Sequence, residues 1–191
     1  MPILSFSLKD TVYGWKLNEV TLQDFNLLVG LSGSGKSNIL RSLQMIRTAG
    51  TQQPGSLPAN GAEWAIKVKT DEGVFEWLAK VSVSSAAAFF QTGQNGGRGD
   101  LQLSDLPIFE KEQLFKNGKE IVSRNEYGVI KLEGRETPKL RNTDSVVSLL
   151  SNEPLVAPMF HFLNRIIFSE AGNYEQGAQY LFVEPETIPL P

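Results

Sequence analysis

One string constrains this chain more than any other: Gly30-Leu31-Ser32-Gly33-Ser34-Gly35-Lys36-Ser37, set between an apolar run and a segment of helical periodicity. A glycine, four residues and then Gly-Lys-Ser is the pattern of a phosphate-binding loop. Upstream, Phe25 to Val29 (FNLLV) reads as a short strand buried on both faces of a sheet. Downstream, Ile39, Leu40, Leu43 and Ile46 recur at helical spacing, and the helix is expected to stop before Gly50 and Pro54. Each loop position has a physical task. The glycines allow tight turning and bring several amide N–H groups onto phosphate oxygens. Lys36 is expected to reach the β- and γ-phosphates, and the Ser37 hydroxyl to ligate Mg²⁺. The helix beginning near Gly35 turns its positive end toward the same anion, with Asn38 in its first turn. Residues 30–38 therefore imply binding of a purine nucleoside triphosphate, read as ATP with Mg²⁺.

The rest of the composition removes other classes. A length of 191 residues fits one domain or slightly more, and 41% apolar residues suffice for a core. The net charge of -3 provides no global basic field for nucleic acid or membrane. The absence of cysteine excludes disulfides and thiolate metal sites, and the single histidine, His161, excludes a histidine cluster. The amino terminus lacks the pattern of a secretory signal, and no stretch reaches the roughly 18 apolar residues of a membrane span. A soluble, cytoplasmic protein is the expectation.

Along the chain, Ile3 to Leu8 and Asn18 to Leu22 read as strands. Thr48 to Gly61 and Gln91 to Asp100 read as loops rich in Gly, Gln, Ser or Pro. Glu63 to Lys69 and Val74 to Ser84 read as a hairpin across Thr70 to Gly73, and Glu120 to Arg124 with Val129 to Glu133 as a second. Ser145 to Leu150 and Pro154 to Phe168 read as helices, the latter with Leu155, Met159, Phe162, Leu163, Ile166 and Ile167 on one face. Three segments follow: 1–50 with the loop and its helix, 51–141 with the hairpins, and 142–191 with helices and a tail.

The string FNLLVGLSGSGKSNILRSL resembles the amino-terminal part of ABC-type ATPases of the SMC and RecF kind, including predicted AAA-family ATP-binding proteins. An opening strand pair, the Gly-Lys-Ser-Asn form and hairpins after the loop helix carry the resemblance. It implies an α/β fold: a P-loop NTPase amino-terminal lobe with an inserted antiparallel β region and a following helical segment. It further implies a homodimer or a second ATPase subunit closing over ATP. The chain departs from that family at Ser32, where an asparagine is common, and it lacks a signature segment. Tyr180 to Glu186 (YLFVEPE) echoes an apolar strand ending in carboxylates, yet Val183 stands where the metal-linked Asp is expected. Glu184 would take the place of the catalytic glutamate, although a solvated terminal Glu-Pro-Glu suits the residues better. Gln91 is the nearest fit to a water-positioning glutamine, in competition with Gln94, Gln102 and Gln113.

His161 reads as a packed or boundary residue, and Trp15, Trp64 and Trp77 as sheet packing. Residues 111–141 carry eight Lys or Arg against five Glu, a local excess that two solvated strands explain as well as a polyanion does. The preferred reading is an ATP-binding module whose hydrolysis needs carboxy-terminal elements and a partner subunit. The alternatives are a self-sufficient small kinase or GTPase, whose DxxG, NKxD or arginine-lid elements are not found, and a degenerate interaction module.

Overall fold

The computed structural model describes residues 2–11, 14–31, 34–51, 61–82, 107–125, 127–138, 140–170 and 179–183, with the backbone alone for 168–170 and 179–183. Ten strands and three helices follow in chain order among these residues. They are β1 (Ile3–Asp10), β2 (Lys16–Thr21), α1 (Lys36–Thr51), β3 (Ala62–Thr70), β4 (Gly73–Ser82), β5 (Ile108–Lys116), β6 (Lys119–Arg124), β7 (Ile130–Leu132), β8 (Arg135–Glu136), α2 (Val146–Leu149), α3 (Ala157–Asn164), β9 (Ile166–Glu170) and β10 (Gln179–Val183). Eight strands form one sheet in the order β2-β1-β3-β4-β5-β6-β7-β8, and β9 pairs with β10 separately. Every pairing is antiparallel.

Alternating side chains explain the centre of this sheet. Trp64, Ile66 and Val68 of β3 lie opposite Ala79, Trp77 and Phe75 of β4, and all six are buried. The intervening positions pair Glu63 with Lys80 and Lys67 with Glu76 on the other face. One face is therefore apolar and the other is charged, the pattern of an antiparallel sheet wetted on one side. The inward tryptophans Trp64 and Trp77 meet edge to face at 5.2 Å, so both serve packing as their strand context suggests. Trp15 is half-buried against the same core.

The helices supply the core's other half. Leu43, Ile46, Ala49 and Gly50 of α1 are buried, as are Val146 and Val147 of α2 and Met159, Phe162 and Leu163 of α3. At Gly50 the helix backbone comes so near its neighbours that an added Cβ would collide with Leu163 Cδ1 and lie 3.1 Å from the Trp77 ring. The helix thus continues through Gly50 to Thr51 instead of stopping before it. Glycine lowers intrinsic helix stability but is retained by this approach.

The expected α/β P-loop lobe is not what forms. Among the described residues the sheet contains no parallel pair, and Phe25 to Val29, the expected doubly buried strand, joins no sheet. After β2 the chain keeps one bond to the sheet, from Leu22 N to Leu4 O, and then peels away. A local turn diverts it: Gln23 N donates to Asn26 Oδ1 at 3.0 Å and Asn26 Nδ2 returns to Gln23 O at 2.7 Å. A strand without a neighbouring ladder has no partner for its backbone groups, so the run remains outside the sheet. The second correction concerns Pro154 to Phe168: the helix ends at Asn164, and Ile166 begins β9, paired to Val183.

Replacement of Gly50 by valine forces atoms into a site closed by Leu163 and Trp77. It is expected to lower stability by about 3 kcal/mol, read from the urea midpoint at unchanged slope.

Candidate functional site

Of the glycine string, Gly30, Leu31 and Ser34 to Ser37 are described, and they lead into the amino end of α1. Gly35 precedes the helix with φ +88°, a conformation that side-chain-bearing residues rarely adopt. Its carbonyl accepts from Asn38 N at 3.0 Å and Ile39 N at 3.3 Å, which starts the helix. Ser34 N donates to Leu31 O at 3.2 Å and closes the turn before it. Lys36, the first helical residue, reaches back over this turn. Its Nζ donates to Gly30 O at 2.6 Å, to Leu31 O at 2.7 Å and to Ser34 Oγ at 3.2 Å.

This geometry has a chemical consequence. Two short bonds to the Gly30 and Leu31 carbonyls engage the ammonium, while the third, longer bond goes to the Ser34 hydroxyl. An arriving phosphate oxygen can take that third donor without disturbing the other two, and a charge-assisted bond is stronger than the one it replaces. The first helical N–H groups lack intrahelical acceptors by construction and add a partial positive charge at the same end. Ser37 and Asn38 are exposed in this first turn. A Ser37 hydroxyl in that position suits one ligand of a Mg²⁺ whose other ligands are phosphate oxygens and water. The described residues contain no cluster of three or more His, Asp or Glu able to hold a metal without phosphate.

Ser32 and Gly33 of the loop, the water-positioning candidate Gln91 and the carboxylate candidate Glu184 all lie outside the described residues. His161 is exposed on α3, with its ring 5.9 Å from that of Phe160. The cationic excess of 111–141 is partly consumed inside the molecule: Arg124 is buried, and Lys116 pairs with Glu72 at 3.0 Å.

The strongest polar cluster is one that sequence reading did not find. Glu112 on β5 and Arg124 on β6 are register partners facing the core, both without side-chain exposure, with Arg124 Nε 3.3 Å from Glu112 Oε2. Val146 N, at the start of α2, donates to both carboxyl oxygens at 3.1 Å, and Trp77 Nε1 donates to Oε1 at 3.3 Å. Arg124 Nη2 donates to Asp144 O at 2.9 Å, and its guanidinium lies 5.5 Å from the Phe109 ring centroid. Arg124 Nη1 has no partner among the described residues. The cluster ties α2 to the sheet. Its sealed position leaves no approach for a substrate, so its role is structural.

Burial pushes the Glu112 carboxyl up to about 8, against the lowering pull of Arg124, the Val146 N–H and the Trp77 N–H. Burial likewise lowers Arg124, opposed by Glu112 and Asp144. Because the folded pKa of Glu112 lies above its ordinary 4.5, the unfolded chain releases this proton first as pH rises. The contribution of Glu112 to stability is therefore complete below about 4.5 and is lost as pH approaches about 8. Urea unfolding across that window is expected to show stability falling with a slope approaching 1.4 kcal/mol per pH unit, and Glu112→Gln is expected to flatten it. A slope that is unchanged in Glu112→Gln contradicts the assignment.

No protein-family model, curated protein or solved structure matches this chain.

Proposed function

We propose that this chain is the Mg-ATP-binding module of an ATPase of the ABC, SMC and RecF kind. The observation that carries the reading is the Lys36 ammonium, held over the loop by the Gly30 and Leu31 carbonyls at the amino end of α1. Three features meet in the first turn of α1: the Lys36 cation, the positive helix end, and Ser37, an exposed residue that carries a hydroxyl. Together they suit a triphosphate carrying a hard divalent ion better than a single phosphate, since the lysine and serine then engage different parts of one ligand. The reading rests on the loop and not on the surrounding sheet.

Binding and hydrolysis separate in this chain. Hydrolysis requires a group to orient water and a carboxylate on the metal, and the cradle residues Gly30 to Asn38 provide neither. Those groups are assigned to further elements or to a second ATPase subunit, so the chain alone holds ATP and turns it over slowly.

Isothermal titration of the chain with Mg-ATP and Mg-GTP tests this. The expected result is binding of ATP, with affinity reduced about 10- to 100-fold by Lys36→Ala, the effect of removing a charge-assisted donor. Absence of binding to either nucleotide overturns the proposal, and a preference for GTP overturns the ATP assignment.

A further inference from the structure

Lys36 has no donor to spare. An ammonium carries three N–H bonds, and all three are engaged: two by the Gly30 and Leu31 carbonyls at 2.6 and 2.7 Å, the third by Ser34 Oγ at 3.2 Å. The same hydroxyl is confined on another side. A Cβ added at position 30 would lie 2.8 Å from Ser34 Oγ and 3.8 Å from Lys36 Nζ, so the hydroxyl sits against the ammonium in room that only a glycine at 30 leaves. The backbone of Ser34 is tied to the same turn, its N–H donating to Leu31 O at 3.2 Å. Ser34 is exposed and lies outside the left-handed region of φ, so its side chain fills no place in the core and its backbone suits any residue.

We propose that the Ser34 hydroxyl is a built-in competitor of the nucleotide: it occupies the Lys36 N–H that a phosphate oxygen must take, and so sets how readily the empty cradle accepts its ligand. This role rests on the nucleotide-binding function proposed above and adds a regulation of that site. Of the three acceptors, the hydroxyl is the one to leave. It makes the longest bond, and rotation about one side-chain torsion withdraws it, whereas releasing either carbonyl would turn the backbone of the loop. The phosphate oxygen that takes its place is charged, and a bond between two charged groups is shorter and stronger than one to a neutral hydroxyl. The exchange has a sign that separates it from a ligand role. A serine that holds the phosphate loses affinity when its hydroxyl is removed; a serine that competes with the phosphate gains it.

Isothermal titration of the full chain with Mg-ATP, wild type beside Ser34→Ala and Ser34→Thr, tests the role. Ser34→Ala is expected to bind about 3- to 10-fold more tightly than wild type, the range of one net hydrogen bond removed from the free state, and Ser34→Thr, which keeps the hydroxyl, to stay within about 2-fold of wild type. A second readout needs no nucleotide. In the isotopically labelled chain, the Lys36 ammonium resonance is expected to move and its protons to exchange faster with water in Ser34→Ala, because one acceptor is gone. Unchanged or weaker binding by Ser34→Ala overturns the competitor role and leaves the nucleotide reading standing. An ammonium resonance identical in wild type and Ser34→Ala overturns the role as well. Absence of Mg-ATP binding by all three proteins overturns the nucleotide reading and the competitor role with it.

Discussion

The close approach of α1 to Trp77 and Leu163 at Gly50 is the contact on which the rest of the arrangement depends. It presses the carboxy-terminal half of the helix into the core, where Leu43, Ile46 and Ala49 add their buried side chains. The amino-terminal half follows as a rigid extension. Lys36 and Ser37 stand in its first turn, although Phe25 to Val29, before the loop, belong to no sheet. A β-carbon at position 50 would require Leu163 Cδ1 and the Trp77 ring to give way in the core.

The loop itself is self-contained. The carbonyls that orient Lys36 belong to Gly30 and Leu31, and Gly35 begins the helix by accepting from Asn38 and Ile39. The proposed phosphate site rests on local backbone and one lysine, so the proposal does not depend on a particular sheet behind it. The catalytic half of an ATPase is different: it needs carboxylates brought from distant sequence, and that is the part the cradle does not contain.

How much of this was legible beforehand depends on whether the governing contacts were local. The hairpin of β3 and β4 followed from period-two alternation and a turn-forming connection at Thr70 to Gly73, and α1 from the spacing of its apolar residues. The strand β5 was missed because Glu112 and the bulge beside Lys80 interrupt its apolar alternation. Only the register with Arg124 shows why a carboxylate faces inward there. The run FNLLV was read as a buried strand from its composition. Composition reports that a segment seeks burial, but it cannot say which surface will cover it. Ile166 and Ile167 continued a helical apolar face by spacing, whereas pairing with β10 takes them into a strand. The start of α1 at Lys36 was legible from Gly35 and the apolar spacing after it, and the bonds that Lys36 makes there span six residues or fewer.

The central claim is that the amino end of α1, and no other surface, receives the triphosphate. It is tested most directly by following backbone amide resonances of the isotopically labelled chain as Mg-ATP is added. The account predicts that the first and largest shifts fall on Ser34 to Asn38, with the Lys36 ammonium shifting in parallel. Shifts concentrated on the charged face of β3 and β4, or an amide spectrum unchanged at saturating Mg-ATP, would contradict it.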